Sequence, residues 1–371
     1  MTTPTRPAAL TLAFLQDIVA QHMGATVEMK GFSWQAMEVG VISEVVNVRV
    51  ELVDKETNTT MEKDLIAKFL RPEFPFEQMF TVESNFYRRI AAGAPGTSDL
   101  PFGVPKALFL SNVLIILERV APVSTYACVA GCPEDQIERV VTKLAQFHGR
   151  FWGADCSDLA SSAGIGSELS GEAKKEQFPG CWQSFLDDVP LDKEDRSRVA
   201  AVCEILSSQP DVLERIHNAV ATGPSTLIHG DFHTANLLFG TAKDAELTWL
   251  VDWATCGKGN PMRDLVFFFI VGVYSKHRRT HEAASLEQYA KIIAQEGVTE
   301  LTLDEWKRHY RQCVLNQFLI LVVYDNLSKH LATNAKSEKL RQELHAHFRE
   351  VNVRACLAVL DQFDEQELSQ Y

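Results

Sequence analysis

The sequence predicts an α+β fold of two lobes, a small antiparallel sheet followed by a larger, mainly helical half. Three observations carry this. A chain of 371 residues exceeds what one hydrophobic core usually fills. The stretch "VVNVRVEL" alternates Val46, Val48, Val50 and Leu52 with Asn47, Arg49 and Glu51, the period of two of a half-buried strand. Beyond Pro133 the pattern is mostly helical.

In chain order, residues 10 to 22 place Leu12, Leu15, Ile18 and Val19 at helical spacing and predict an amphipathic first helix. After the alternating strand, the polar "DKETNTTMEKD" turns the chain and "LIAKFL" at 65 to 70 reads as the next strand, so residues 25 to 70 form an antiparallel meander. A helix over 76 to 92 gathers Phe76, Met79, Phe80, Val82, Phe86 and Ile90 largely on one side. The proline- and glycine-dense "APGTSDLPFGVP" is a loop, and "ALFLSNVLIILE" is a strand or strand pair ending at Glu118. "EDQIERVVTKLAQFHGRFW" opens with Pro133 and acidic residues, as a helix N-terminus should. Two lobes joined near residues 118 to 124 follow, with domains at 1–118 and 119–371. Residues 155 to 180 read as irregular; "GIGSEL" lacks the preceding strand a phosphate loop needs.

Composition narrows the class. Hydrophobic residues at 46% and charged residues at 23% mark a globular chain. The formal charge of -13, with no run of lysine or arginine, argues against a nucleic-acid partner. Eight scattered cysteines without a C-x-x-C pair fit a reduced, cytoplasmic protein, and the polar, proline-containing N-terminus is unlike a secretory signal. The longest apolar runs, "LVFFFIVGV" and "FLILVVY", are too short for membrane insertion and read as buried helix.

The chemistry concentrates in "HGDFHTAN" and "WLVDW". Asp231 and Asn236 stand as D-x-x-x-x-N, and Asp252 ends a second apolar strand twenty-one residues on. Transfer of the γ-phosphoryl group of ATP needs a carboxylate to position the acceptor hydroxyl and oxygen ligands for Mg2+, and these three supply them in order. A cation for the phosphates is also needed. Lys68 is the sole charge in "LIAKFL", with Glu83 as its expected partner and Glu77 as the fallback. The turn "EVGVIS" offers the backbone around Gly40 and the hydroxyl of Ser43 to cover phosphates.

The chain resembles the small-molecule kinases related to aminoglycoside phosphotransferases and choline kinases, and within them the ecdysteroid-kinase-like, or CHK-kinase-like, group. The resemblance rests on "LIHGDFHTANLLF", "WLVDWATCGKGNPMRDL", "LIAKFL" with "ESNFYRR", and "LIILERV" followed by "LAQFHGRFW", over roughly residues 35 to 330. It implies a bilobal protein-kinase-like fold, with Asp231 as catalytic base, Asn236 and Asp252 on magnesium, and Lys68 paired with Glu83 on phosphate. It also implies that Glu118 to Val120 is the hinge meeting adenine, that His229 is a structural loop histidine, and that Asp264 braces the loop. Relatives commonly carry Glu-Asp-Leu at the hinge, whereas this chain has Glu118-Arg119-Val120.

Rival readings remain at this stage. His229, His233 and Asp231 are also suitable ligands for a transition metal in a phosphohydrolase, which leaves Asn236, Asp252 and Lys68 without a role. A protein-serine kinase would need D-F-G and A-P-E segments, which the chain lacks. A catalytically silent kinase fold is a third. The acceptor expected is a small hydroxylated molecule bound against residues 265 to 330, steroid-like or another secondary metabolite, with a cationic acceptor of choline or aminoglycoside type as the alternative.

Overall fold

The computed structural model describes residues 2–24, 26–37, 43–73, 76–91, 100–156, 159, 169–241, 246–335, 337–364 and 367–368. The first elements are α1 (Leu12–Met23), β1 (Val27–Ala36), β2 (Ser43–Asp54), β3 (Thr59–Leu70), α2 (Glu77–Phe86), β4 (Ala107–Leu110), β5 (Leu114–Glu118) and β6 (Val123–Ser124). Helices α3 (Ile137–Arg150), α4 (Gly171–Asp188), α5 (Lys193–Ser208) and α6 (Pro210–Ala221) follow. Short strands β7 (Thr226–Ile228), β8 (Leu237–Gly240), β9 (Thr248–Leu250) and β10 (Gly257–Gly259) precede α7 (Met262–Val271), α8 (Ser275–Gln295), α9 (Leu303–Thr333) and α10 (Glu338–Gln362).

The first compact unit is built on a five-stranded sheet of order β1-β2-β3-β5-β4, every neighbouring pair antiparallel. Phe14, Leu15, Ile18 and Val19 of α1 join Val46, Val48, Val50 and Leu52 of β2 in one core, so the predicted alternation marks the face that α1 covers. Leu65, Ala67 and Phe69 of β3 belong to that core too. Side chains alternate along a strand, so Lys68 points to the opposite face. Its neighbours in register are Val45 and Ile115, which place it in the middle of the sheet.

Two local expectations change. The polar stretch read as a turn contains only a four-residue turn, for β3 already begins at Thr59. Asp54 Oδ1 accepts the amides of Glu56 and Thr57, and Asn58 takes φ 54°, which closes a tight hairpin with polar outer strand ends. Residues 171 to 180 are helical rather than irregular. Ser170 caps α4 by accepting the Ala173 amide, and Pro179 and Gly180 lie inside that helix, where they mask its pattern.

The chain does not divide once at residue 118. The first unit runs to Val123 and also takes in Phe239–Thr255. Gly103 forms a parallel bridge with Trp249, its amide donating to Thr248 O and its carbonyl accepting from Leu250 N. A Cβ on Gly103 would meet the Trp249 ring at 2.4 Å, so this approach requires glycine.

The second unit is helical, with one small antiparallel pair, β7 and β10, in which Ile228 faces Gly257 and Thr226 faces Gly259. "LVFFFIVGV" and "FLILVVY" fall in α7 and α9, where Phe268, Phe269, Ile270, Phe318 and Leu319 are fully buried. Among the described residues no helix is long and apolar enough to cross a membrane.

Candidate active site

In the first unit β3 delivers a lysine into an apolar face. Lys68 Nζ donates to Glu83 Oε2 of α2 at 2.6 Å and to Asp252 Oδ1 at 2.9 Å. Glu83 is 1% exposed. Burial alone would pull the lysine down, but Asp252 and Glu83 outweigh it and hold the ammonium charged above its ordinary range. Burial pushes Glu83 up against the pull of Lys68, and the like charge of Asp252 adds to the push. Glu77, the fallback partner, accepts instead from Asn112 Nδ2 at 3.0 Å.

Asp252 follows β9 with φ 66°, a left-handed conformation uncommon outside glycine and tolerated by aspartate. The next residue fixes the bend. Trp253 stacks on Phe86 of α2 with ring centroids 3.7 Å apart and planes 9° from parallel, and its indole donates to Leu250 O. The helix that brings Glu83 to Lys68 therefore also seats the turn that brings Asp252. With 44% of its side chain exposed, Asp252 keeps an oxygen face toward solvent.

In the second unit the predicted loop is held from behind. Asp264, at the first turn of α7, accepts the His229 amide at 2.7 Å on one oxygen and the Gly230 amide at 2.9 Å on the other. His148 Nε2 of α3 adds a third contact at 3.3 Å, while its Nδ1 meets the Tyr289 hydroxyl at 2.8 Å. Burial would raise the Asp264 carboxyl, but the His148 bond and the nearby imidazoles lower it below the ordinary range. Gly230 takes φ 82°, which sends the chain sharply from β7 into the loop.

Asn236 Nδ2 donates to the main-chain oxygen of Asp231 at 2.9 Å and to its Oδ2 at 3.1 Å. His233 Nε2 lies 3.3 Å from the same Oδ2, and its Nδ1 is 3.4 Å from Cys128 Sγ. Burial opposes ionisation of Asp231, yet His233, His229 and Asn236 together hold the carboxyl well below the usual range. His233 is correspondingly raised, against its own burial, by Asp231. His229 Nδ1 accepts the Asp231 amide at 3.3 Å, so both imidazoles are engaged with the loop. Among the described residues no three His, Cys, Asp or Glu side chains are arranged to hold a metal.

The remaining predicted residues are less informative. Gly40 lies outside the described residues; Ser43 opens β2 and is buried. Glu118 donates its amide to Lys106 O and Arg119 its amide to Asp64 O, so the sheet takes up both donors and Val120 is the first residue beyond. The Arg119 guanidinium bonds Asn47 Oδ1 and pairs with Asp64.

A model of the ecdysteroid kinase-like family matches residues 40–297. The chain belongs to this family. No match is found among curated proteins. Among solved structures, a microcompartment-associated aminopropanol kinase is similar at 14% identity, over 92% of this chain and 95% of that one, with a TM-score of 0.52. A Plasmodium vivax ethanolamine kinase is similar at 9% identity, over 91% and 84%, with a TM-score of 0.50. The GDP complex of an aminoglycoside 2'-phosphotransferase gives 15%, 92% and 98%, and 0.46. At these identities the likeness is one of fold, and the fold is protein-kinase-like.

In this ecdysteroid kinase-like chain the sequence did not assign roles to His148, Tyr289, Cys128 or His347. His148 lies inside a quoted motif, "LAQFHGRFW", but its partner Tyr289 is 141 residues away and carries no local signal. His347 of α10 is lowered to about 4 by burial and by the charge of His233.

Lys68→Met should lower stability by roughly 3 kcal/mol because it leaves Glu83 buried and unpaired. The double variant Lys68→Met, Glu83→Met should lose less than the sum of the single changes in urea melts. Asp264→Ala should cost about 2–4 kcal/mol by the same measurement, since two buried amides lose their acceptor. A histidine whose pKa is raised on folding stabilises fully below its unfolded value near 6.5 and loses that contribution as pH rises through the folded value. The Tm advantage of the wild type over His233→Gln should thus be largest at acid pH, down to about 5, and shrink on the alkaline side.

Proposed function

We propose that this protein transfers the γ-phosphate of ATP to a hydroxyl of a small, largely apolar organic molecule. The observation that supports it most is the Lys68 ammonium held at once by Glu83 and Asp252. A lysine fixed by a helix glutamate, beside a metal-binding aspartate, is what phosphoryl transfer needs at the nucleotide phosphates. In this reading Lys68 anchors the phosphates, Gly40 and Ser43 cover them, and the backbone of Glu118 and Val120 meets adenine.

Asp231 orients the acceptor hydroxyl and receives its proton. The carboxyl stays ionised throughout the neutral range, so its contribution is mainly to position the nucleophile. Asn236 and Asp252 are the proposed magnesium ligands. Their donor set fits a hard cation: the Asn236 nitrogen is turned to Asp231, which leaves the amide oxygen, and Asp252 is a partly open carboxylate. Bound magnesium would neutralise charge developing on the transferred group.

Support for an apolar acceptor comes from the surroundings of His233. Phe267 lies against that ring at 6.0 Å. Asp325, which could have drawn a cationic acceptor, is taken up by Asn352 and Lys329. Steroid alcohols and other hydroxylated secondary metabolites are the favoured class.

A panel of such alcohols, with choline and aminoglycosides beside them, should reveal acceptor-dependent ATP consumption. Asp231→Asn should reduce turnover by roughly 10²–10⁴-fold while the ATP Kd changes little. Turnover unchanged in Asp231→Asn would defeat the assignment, and ATP binding without consumption on any acceptor would favour the silent fold.

A further inference from the structure

The helical unit holds a second cluster of charge that this chemistry does not use. Lys174 of α4 is 1% exposed, yet among the described residues no carboxylate pairs with it. Its Nζ donates to Asn316 Oδ1 of α9 at 2.7 Å and to His217 Nδ1 of α6 at 3.1 Å, both neutral acceptors. Arg263, half-buried in the first turn of α7, has no ion pair among the described residues and brings a second positive charge. Burial, with Arg263 adding to it, pushes Lys174 down to about 8, and His217 is lowered by burial and by both cations. Glu214 of α6 is exposed and acts on Lys175 instead.

A further unused donor lies three residues before Arg263, whose amide donates to the Asn260 carbonyl at 3.0 Å. Asn260, 3% exposed, directs Oδ1 to the Met262 amide and leaves Nδ2 without an acceptor. A Cβ on Gly223 would sit 2.6 Å from that nitrogen and 3.3 Å from His309 Nδ1, so the two side chains converge on one point next to α9. Asn260 and Arg263 follow the Thr226–Gly259 end of the β7–β10 pair, whereas the loop bearing Asp231 leaves from the Ile228 end.

Burying two cations among neutral hydrogen-bonding partners is costly, and the group that relieves it is an anion rich in acceptor oxygens. We propose that Lys174, Arg263, His217 and Asn260 form a binding site for a phosphate group, either free phosphate or a phosphomonoester. The ammonium and guanidinium supply charge-assisted donors suited to phosphate oxygens, and half-buried Arg263 and His217 give access from solvent.

The test is thermal unfolding of the full chain at constant ionic strength, with inorganic phosphate in one arm, phenyl phosphate in another and chloride as control. The wild type should gain about 2 °C or more in at least one phosphate arm. Lys68→Met, altered at the nucleotide site, should keep that gain, and Lys174→Met and Arg263→Gln should lose it. The gain should also fade above pH 8 as Lys174 loses its proton. The other titratable groups near it do not follow that pH range: His217 and His309 are lowered by burial, and the Cys313 thiol is pushed up to about 12 by burial. Should Lys174→Met fail to fold, Arg263→Gln decides alone, because Arg263 is not fully buried. A gain that vanishes in Lys68→Met but survives in Arg263→Gln would place the anion at the nucleotide site and overturn the proposal. So would the absence of any gain over chloride.

Discussion

A cation in the middle of an apolar sheet face is the constraint around which the first unit is organised. Lys68 cannot be left there alone, since an unpaired buried charge costs several kcal/mol. The sheet sets where the ammonium emerges, and α2 must run so that Glu83 reaches it. A second carboxylate from a distant turn completes the set.

The loop bearing Asp231 answers a different problem, the exposure of backbone amides at a sharp bend. Asp264 collects two consecutive amides, and the histidine behind it is steadied by a tyrosine. The loop is thus fixed by a chain of hydrogen bonds running back through α7, α3 and α8, which are themselves core helices. The support of the Asp231 loop thus derives from residues on helices remote from it in sequence.

Much of this was legible in the sequence because the signals are local. Alternation along β2 named the buried face, and a lone lysine in "LIAKFL" announced a partner. Glu83, the partner expected on the helix that follows, is buried beside Met79, Phe80 and Phe86. The spacing of Asp231 and Asn236 survives folding as a direct contact. What escaped was of two kinds. Pro179 and Gly180 contradict helix propensity, and only packing in α4 overrides them. His148, Tyr289 and Cys128 sit in helices and loops whose neighbours are set by tertiary contacts over a hundred residues away, and no spacing rule encodes those.

The return of Phe239–Thr255 to the first unit has a kinetic meaning. The ion pair between Lys68 and Asp252 spans 184 positions, and Gly103 finds its strand partner only at Trp249. During synthesis the amino-terminal sheet emerges long before either partner exists, so Lys68 waits with Glu83 as its sole counter-charge. Such long-range closure slows assembly and leaves an edge exposed in the meantime. The first unit is therefore not a detachable module ending at Val123; its completion waits on translation of Phe239–Thr255.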